Sequence, residues 1–346
     1  MPLSALDAVG PAFERMKRQL FQPFRLGQWI RFAVVGLLAG EMGTAGGCNL
    51  RFPFNVPSQE PERFQLPIPL ADRDLIALVA VAVLIVLFSI AGILLLYVNS
   101  RMRFVLFDSI IAGECQIGRF WNARSEPAWR YFVWQIAFLL CSIVAFAVVV
   151  GIPLAAAAAL GMFRDPRGHL VALIVGGVLV GFTALLLVLS TAIVHVLTKD
   201  FVVPQMALEN ITAVEGWRRV WPTMKREGGR FVGYMGLKFV LSIAAVILFT
   251  IAILLVVLLL LIPIGVIGAL LYVLSRNVAL TWNPFTVALG ILAGVVIIIF
   301  FLILCALISV PAMVFFPSYS IYFFADRYAP LRTVLFPPPP PDTAIA

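Results

Sequence analysis

The chain is short of charge. Only 12% of its 346 residues are Asp, Glu, Lys or Arg, while 62% are hydrophobic; soluble domains carry about 25% and about 45–50%. So few charges do not cover a water-soluble globule of this length. Histidine is scarcer still. His169 and His195 are the only two, and they fall toward opposite ends of one apolar run, so no zinc triad can be built from them. The four cysteines, Cys48, Cys115, Cys141 and Cys305, have neither metal-ligand spacing nor an evident partner; Cys141 and Cys305 lie in apolar runs and read as small packing residues. No Gly-x-Ser-x-Gly elbow, phosphate-binding loop or His-Glu-x-x-His pattern occurs. The sequence points to no enzyme, metal or cofactor.

What it has is long apolar runs, and about 18 or more consecutive apolar residues read as a membrane span. Leu26–Gly46 is the weakest, with Arg31 and Glu41 inside it, whereas Leu75–Val98 runs 24 residues without a charge. Tyr131–Leu160, Leu170–Leu197, Phe231–Leu261 and Phe285–Val310 complete the set. Lipid offers the backbone no hydrogen bonds, so spans are helices or barrel strands. Strands of a barrel alternate apolar and polar residues, and these runs do not. Two runs are long for a core of about 30 Å. Each has a proline near its far end, Pro153 and Pro263, where the missing N–H and the ring should end the helix. The expected fold is an all-α membrane domain over residues 1–336, with spans near 26–46, 75–98, 131–153, 170–197, 231–262 and 285–310. A proline-rich tail, 337–346, follows as extended polyproline II.

Lys and Arg set the orientation. Of 25, 19 fall before the first span, between the second and third, between the fourth and fifth, and after the sixth, counting Arg31 and Lys238, which lie just inside span ends. The positive-inside rule then puts both termini in the cytoplasm of a prokaryotic inner membrane. Six of the seven tryptophans (all but Trp282) lie on that side, and Trp121, Trp129, Trp217 and Trp221 are the expected interfacial anchors. The net charge of +8 implies anionic headgroups as partners and no nucleic acid, since no separate basic domain exists. The first 25 residues are amphipathic and lack the compact apolar core of a cleavable signal.

Segments leaving the second, fourth and sixth spans resemble one another: Arg103–Asp108, Asp200–Gln205 and Val314–Ser318. Pro153 precedes Pro204 by 51 positions and Pro263 precedes Pro317 by 54, so three tandem helical hairpins are expected. Asp108, Asp200 and Asp326 mark the three exits and are expected to cap helix ends and pair with nearby arginine.

Between hairpins, Asn210–Glu227 opens with Thr212 and Glu215, the spacing of a capping box. Trp217, Val220, Trp221 and Met224 recur as one helical stripe; Arg218, Arg219, Lys225 and Arg226 occupy the remainder as candidate contacts to anionic lipid. Gly228-Gly229 should stop the helix, and Pro222 should kink it. Cys115–Ala123 is a shorter version, and near the N-terminus Phe13, Met16, Leu20 and Phe21 should share an apolar face. Such helices either brace the bundle or bind lipids or partners. Glu41, His195 and Lys238 are the ionisable residues inside spans. Lys238 and His195 should reach the cytoplasmic surface, and Glu41 should lie near the outer end of the first span. Loop 49–74, with its prolines, reads as a flexible connection.

Lys199–Glu209, then Gly216-Trp217-Arg218-Arg219, then Gly229–Tyr234 resemble a family of uncharacterised prokaryotic membrane proteins. That family is similar to the membrane domain found attached to glycerophosphodiester phosphodiesterases. The resemblance is clearest over 199–240 and extends over about 100–325. It implies a six-helix membrane domain and transfers no catalytic residues, because the chemistry of such fusions belongs to a separate barrel. The expected function is non-enzymatic organisation of lipids or partner proteins at the inner leaflet. The alternative is a transporter or channel subunit for an apolar or amphiphilic substrate.

Overall fold

The computed structural model describes residues 4–41, 70–163, 167–277 and 284–336, and every regular element among them is helical. In chain order these are α1 (Val9–Phe21), α2 (Leu26–Leu38), α3 (Leu70–Ala112), α4 (Ile117–Ala123) and α5 (Ser125–Phe146). A π-helical turn, Ala147–Gly151, joins α5 to α6 (Ile152–Ala159). A second, Thr198–Val202, joins α7 (Leu170–Leu197) to α8 (Val203–Glu209). Then come α9 (Ala213–Arg226), α10 (Gly228–Asn277), α11 (Pro284–Ala325) and α12 (Ala329–Leu335). Residues 42–69, Trp282 and the Pro337–Pro341 run lie outside the described residues.

Among the described residues, five helical stretches are long and apolar enough to cross a membrane: Leu78–Ala112, Ser125–Ala159, Leu170–Glu209, Gly228–Ile262 and Gly290–Ala325. Each overruns its expected bounds at the charged end, because residues such as Asp200 and Lys199 are buried there instead of ending the helix. The apolar stretches themselves face outward; every residue from 78 to 95 is exposed. In water such a surface would aggregate. In a bilayer it is the lipid-facing wall.

The prolines do not end helices as expected. The helix continues through position 263 to Asn277 and through Pro153 to Ala159. At Pro153 the reason is visible. A proline inside a helix removes one hydrogen bond and crowds the carbonyl four residues back. The π turn at 147–151 adds a residue to the preceding turn and accommodates that geometry. The same device recurs at Pro204, whose π turn also begins six positions earlier, at Thr198, and the Val203 N–H reaches back five residues to the Thr198 carbonyl.

The first expected span differs most. In place of 26–46, α2 covers 13 residues, about 20 Å, well short of the core of about 30 Å. Ala39 follows it, and Gly40 adopts a left-handed φ of 75°, an αL stop that glycine takes without a Cβ penalty. The orphan carbonyls at this end are met from α3: Asn99 Nδ2 donates to Leu38 O at 3.0 Å and Arg103 Nη2 to Ala39 O at 2.8 Å. Glu41, 1% exposed, therefore sits beside the charged end of α3, not at a far end of a span.

The helices sort into two compact units, each with its own interior: Met1–Arg15, Phe107–Met235 and Pro317–Ala346 in the first, Met16–Leu106 and Gly236–Phe316 in the second. In the second, Phe249, Ala312 and Phe316 form a buried cluster flanked by Leu241, Ala245, Ile308 and Phe315. Trp29 Nε1 donates to Leu307 O at 2.9 Å, and Gly36 lets α2 press against Met313. A Cβ at position 36 would lie 2.4 Å from Met313 Sδ and 2.9 Å from its Cβ.

Gly36→Leu should therefore lower the thermal unfolding midpoint in detergent, by about 1–3 kcal/mol of overpacking. Gly92→Ala, where a Cβ meets nothing within 4 Å, should leave it unchanged or raise it. Equal midpoints for Gly36→Leu and wild type would remove the α2–α11 contact from the account.

Candidate functional site

The polar residues of the first unit converge at the second π turn. Thr198, Lys199, Asp200, Phe201 and Val202 are all buried, and so is Gln205 one turn on. A carboxylate at 2% exposure costs several kcal/mol unless it is hydrogen-bonded. Asp200 accepts from the Tyr234 hydroxyl at 3.0 Å. Tyr234 in turn stacks on Tyr319, with centroids 5.0 Å apart, and on Phe323 at 4.4 Å. Phe201 completes the layer, with Phe231, Tyr234 and Phe324 each at 5.2 Å. Such pairs contribute about 0.5–1.5 kcal/mol each beyond area burial. The result is a buried acid hydrogen-bonded to an aromatic box.

Ion pairs fasten the helix ends around it. Arg124 holds Asp108 at 3.1 Å and also donates to the Ala207 carbonyl, tying the end of α3 to α8. Arg130 pairs with Glu126 and donates to Asn210 O at 2.7 Å; Asn210, in the left-handed region at φ 55°, returns a bond to Glu126 at 3.1 Å. Arg327, with 1% of its side chain exposed, donates to Glu227 at 3.0 Å and lies 4.0 Å from the Phe323 ring centroid. Arg15 donates to Ile110 O at 2.8 Å and Ile111 O at 2.6 Å, satisfying the end of α3. Glu209 accepts from Arg219 and from the Tyr328 hydroxyl. Burial, then that bond to Glu209, pushes the Tyr328 phenol above its ordinary range.

α9 rides on the π turn. Thr212 caps it by accepting from the Glu215 N–H at 3.3 Å, as the spacing predicted. Its buried face is Ala213, Gly216 and Val220, which differs from the expected tryptophan stripe. Small residues allow a close approach: a Cβ on Gly216 would come within 2.7 Å of Val202 Cγ1. Trp217 lies at the edge and donates to Thr198 Oγ1 at 3.0 Å. Trp221 turns outward, 51% exposed, with the Lys225 ammonium 5.5 Å from its ring centroid. Arg218 and Arg219 are engaged with Glu215, at 2.6 Å and 3.2 Å. Lys225 and Arg226 are exposed. The helix runs through Pro222 and ends at Arg226; Glu227, not the glycine pair, makes the break, and Gly228 already begins α10.

Of the other expected sites, Trp121 is half-buried and Trp129 is 54% exposed. In α1 the buried face is Ala12, Met16 and Leu20, continued by Ala8 just before the helix, while Phe13 and Phe21 are exposed, because the small alanines allow closer packing than phenylalanine would. Lys238 is buried at 5% instead of reaching a surface, and His195 is half-buried. Cys305 is buried as a packing residue; Cys141 is exposed on the apolar wall. Among the described residues no cluster of three or more His, Cys, Asp or Glu side chains could hold a metal ion. Asp200 stands out in the sequence at a helix exit, and its aromatic neighbours are harder to see. The signal was present in Tyr234, Tyr319 and Phe323, whose spacing of four between 319 and 323 puts two rings on one helical face.

Long apolar helices with lipid-facing walls and polar, ion-paired ends define a multi-pass α-helical membrane protein. A family of unknown function, DUF7544, matches residues 3–334, and the chain belongs to it. No curated protein and no solved structure matches the chain.

The docking of α9 makes a pH-dependent prediction. The hydrogen bond from Arg219, seconded by Arg218, holds the Glu215 carboxyl below its ordinary value of 4.5. A depressed carboxylate stabilises the fold above its unfolded value, and that contribution is lost as pH falls through the lower folded value. Amide exchange over 213–226 should thus be slow and pH-independent in protection near pH 6 and lose protection below pH 4.5. Gly216→Val should remove the same protection at every pH. Protection that persists in Gly216→Val would mean that α9 does not depend on the π turn.

Proposed function

We propose that this chain is a non-enzymatic membrane protein that organises anionic lipid, or a partner protein at the same surface, through the outward face of α9. One observation carries the reading. α9 is held by its small-residue face, and this leaves Trp221, Lys225 and Arg226 outward as an aromatic ring flanked by cations. A tryptophan with adjacent lysine is the chemistry of a headgroup anchor. On this reading the charged helix ends of the first unit face the cytoplasm of a prokaryotic inner membrane, in keeping with the Lys and Arg distribution. The three-hairpin arrangement and the likeness of 199–240 to the phosphodiesterase-linked membrane domain belong to the same proposal.

Arg218 and Arg219 take a different part from Lys225 and Arg226. Arg219 pairs with Glu209 of α8 as well as Glu215 and so fixes α9, Arg218 pairs with Glu215 on α9 itself, and the lipid contact falls to Lys225 and Arg226. The alternative, a transporter or channel subunit, is favoured by one feature: a buried acid, Asp200, inside a span. The hydrogen bond that ties that acid to the stacked Tyr234 ring supports a structural role instead.

The test is the lipid retained after purification. Basic residues near an anionic leaflet contribute about 1 kcal/mol each. Mass spectrometry of Lys225→Gln/Arg226→Gln should show anionic enrichment lost with monodispersity intact. Arg218→Gln should keep the enrichment. An unchanged shell in the double variant would reduce α9 to a brace.

A further inference from the structure

At the far end of α7 from its π turn lies a feature that the α9 reading does not use. α6 and the start of α7 enclose an apolar groove of about 450 Å³, within the size range of small-molecule sites, about 300–1,000 Å³. Ala156, Ala157, Ala172, Gly176 and Gly177 leave room in it, and larger apolar side chains such as Leu160 and Phe163 complete its lining. Added Cβ atoms at Gly176 and Gly177 would meet nothing within 4 Å, so the space beside them is open. Around Ala172 the groove adjoins a second cleft of about 510 Å³ bordered by Arg167, Gly168 and His169. Arg167 is exposed, and a guanidinium is always charged.

An apolar slot that opens beside a fixed cation has the two-part chemistry of a lipid. We propose that this groove seats one acyl chain of an anionic phospholipid, with the headgroup phosphate at Arg167. The π turn contributes directly. It carries the helix on through Pro153, so that α6 continues past the proline and supplies the alanine wall. The 28 residues of α7 cover about 42 Å, more than the hydrocarbon core of about 30 Å. The groove and the α9 surface therefore address opposite leaflets, and one can fail without the other.

The test uses the full chain in nanodiscs of phosphatidylcholine doped with phosphatidylglycerol that carries a photoactivatable group on one acyl chain. Peptide mapping should find adducts concentrated on 153–180, above the level on the exposed wall 78–95, which reports bulk lipid. Unlabelled phosphatidylglycerol should compete for the 153–180 adduct and unlabelled phosphatidylcholine should not. Arg167→Gln should abolish that preference, and Gly176→Phe, which fills the slot, should abolish the concentrated adduct while 78–95 still labels. Wild-type labelling spread evenly over all exposed spans overturns the proposal, without reference to any variant's folding. Equal competition by the two lipids overturns the headgroup assignment to Arg167.

Discussion

A carboxylate removed from water must be met by hydrogen bonds, and in this protein that requirement fixes the geometry of the first unit. Asp200 sits in a π turn, 2% exposed, and accepts from Tyr234 at 3.0 Å. To bring Tyr234 there, the start of α10 must lie against the π turn. To stack on Tyr234, Tyr319 and Phe323 must present one face of α11. The π turn itself exists because Pro204 follows it, and its bulge gives Gly216 of α9 a place to dock. One buried acid thus orders the ends of three separated segments.

The apolar lengths behave differently. Residues 78–95 are exposed throughout. Lipid tails are as apolar as leucine, so apolar side chains alone give transmembrane helices little reason to associate with one another. Specific association comes from close-packed small residues and hydrogen bonds, and the described ones concentrate where Arg124, Arg130 and Arg327 find their carboxylates and carbonyls. Burial follows the same pattern, dense from Leu197 to Ala207 and again from Val310 to Ala325. The fold is fastened at its polar ends, and its walls are left to the bilayer.

Much of this was legible in the residues, for physical reasons. Uninterrupted apolar runs determine helices because lipid leaves the backbone no alternative. The Thr212–Glu215 spacing identified the cap of α9 because capping is local. The Asp108–Arg124 pair followed from a charge at a helix exit with arginine nearby. Three things were not legible. Proline was read as a helix end because the compensating π turn has no sequence signature of its own. The face of α9 was read from its tryptophans, yet packing against Val202 favours the glycine and alanine side. α2 stops after 13 residues at the left-handed Gly40, and a lone glycine in an apolar run does not report that Asn99 and Arg103, some 60 positions away, meet the carbonyls there.

The account rests on the bond between Asp200 and Tyr234, and a double-mutant cycle measures it. Unfolding free energies would be taken for wild type, Asp200→Ala, Tyr234→Phe and the double variant under one detergent condition. Residues joined in a buried hydrogen-bonded network couple by about 0.5–3 kcal/mol, and the geometry predicts a value within that range: once Asp200 is gone, removing the Tyr234 hydroxyl should cost clearly less than it does in the wild type. Additive effects, agreeing within about 0.3–0.5 kcal/mol, would contradict it and show that the aromatic box assembles independently of the acid bonded to it.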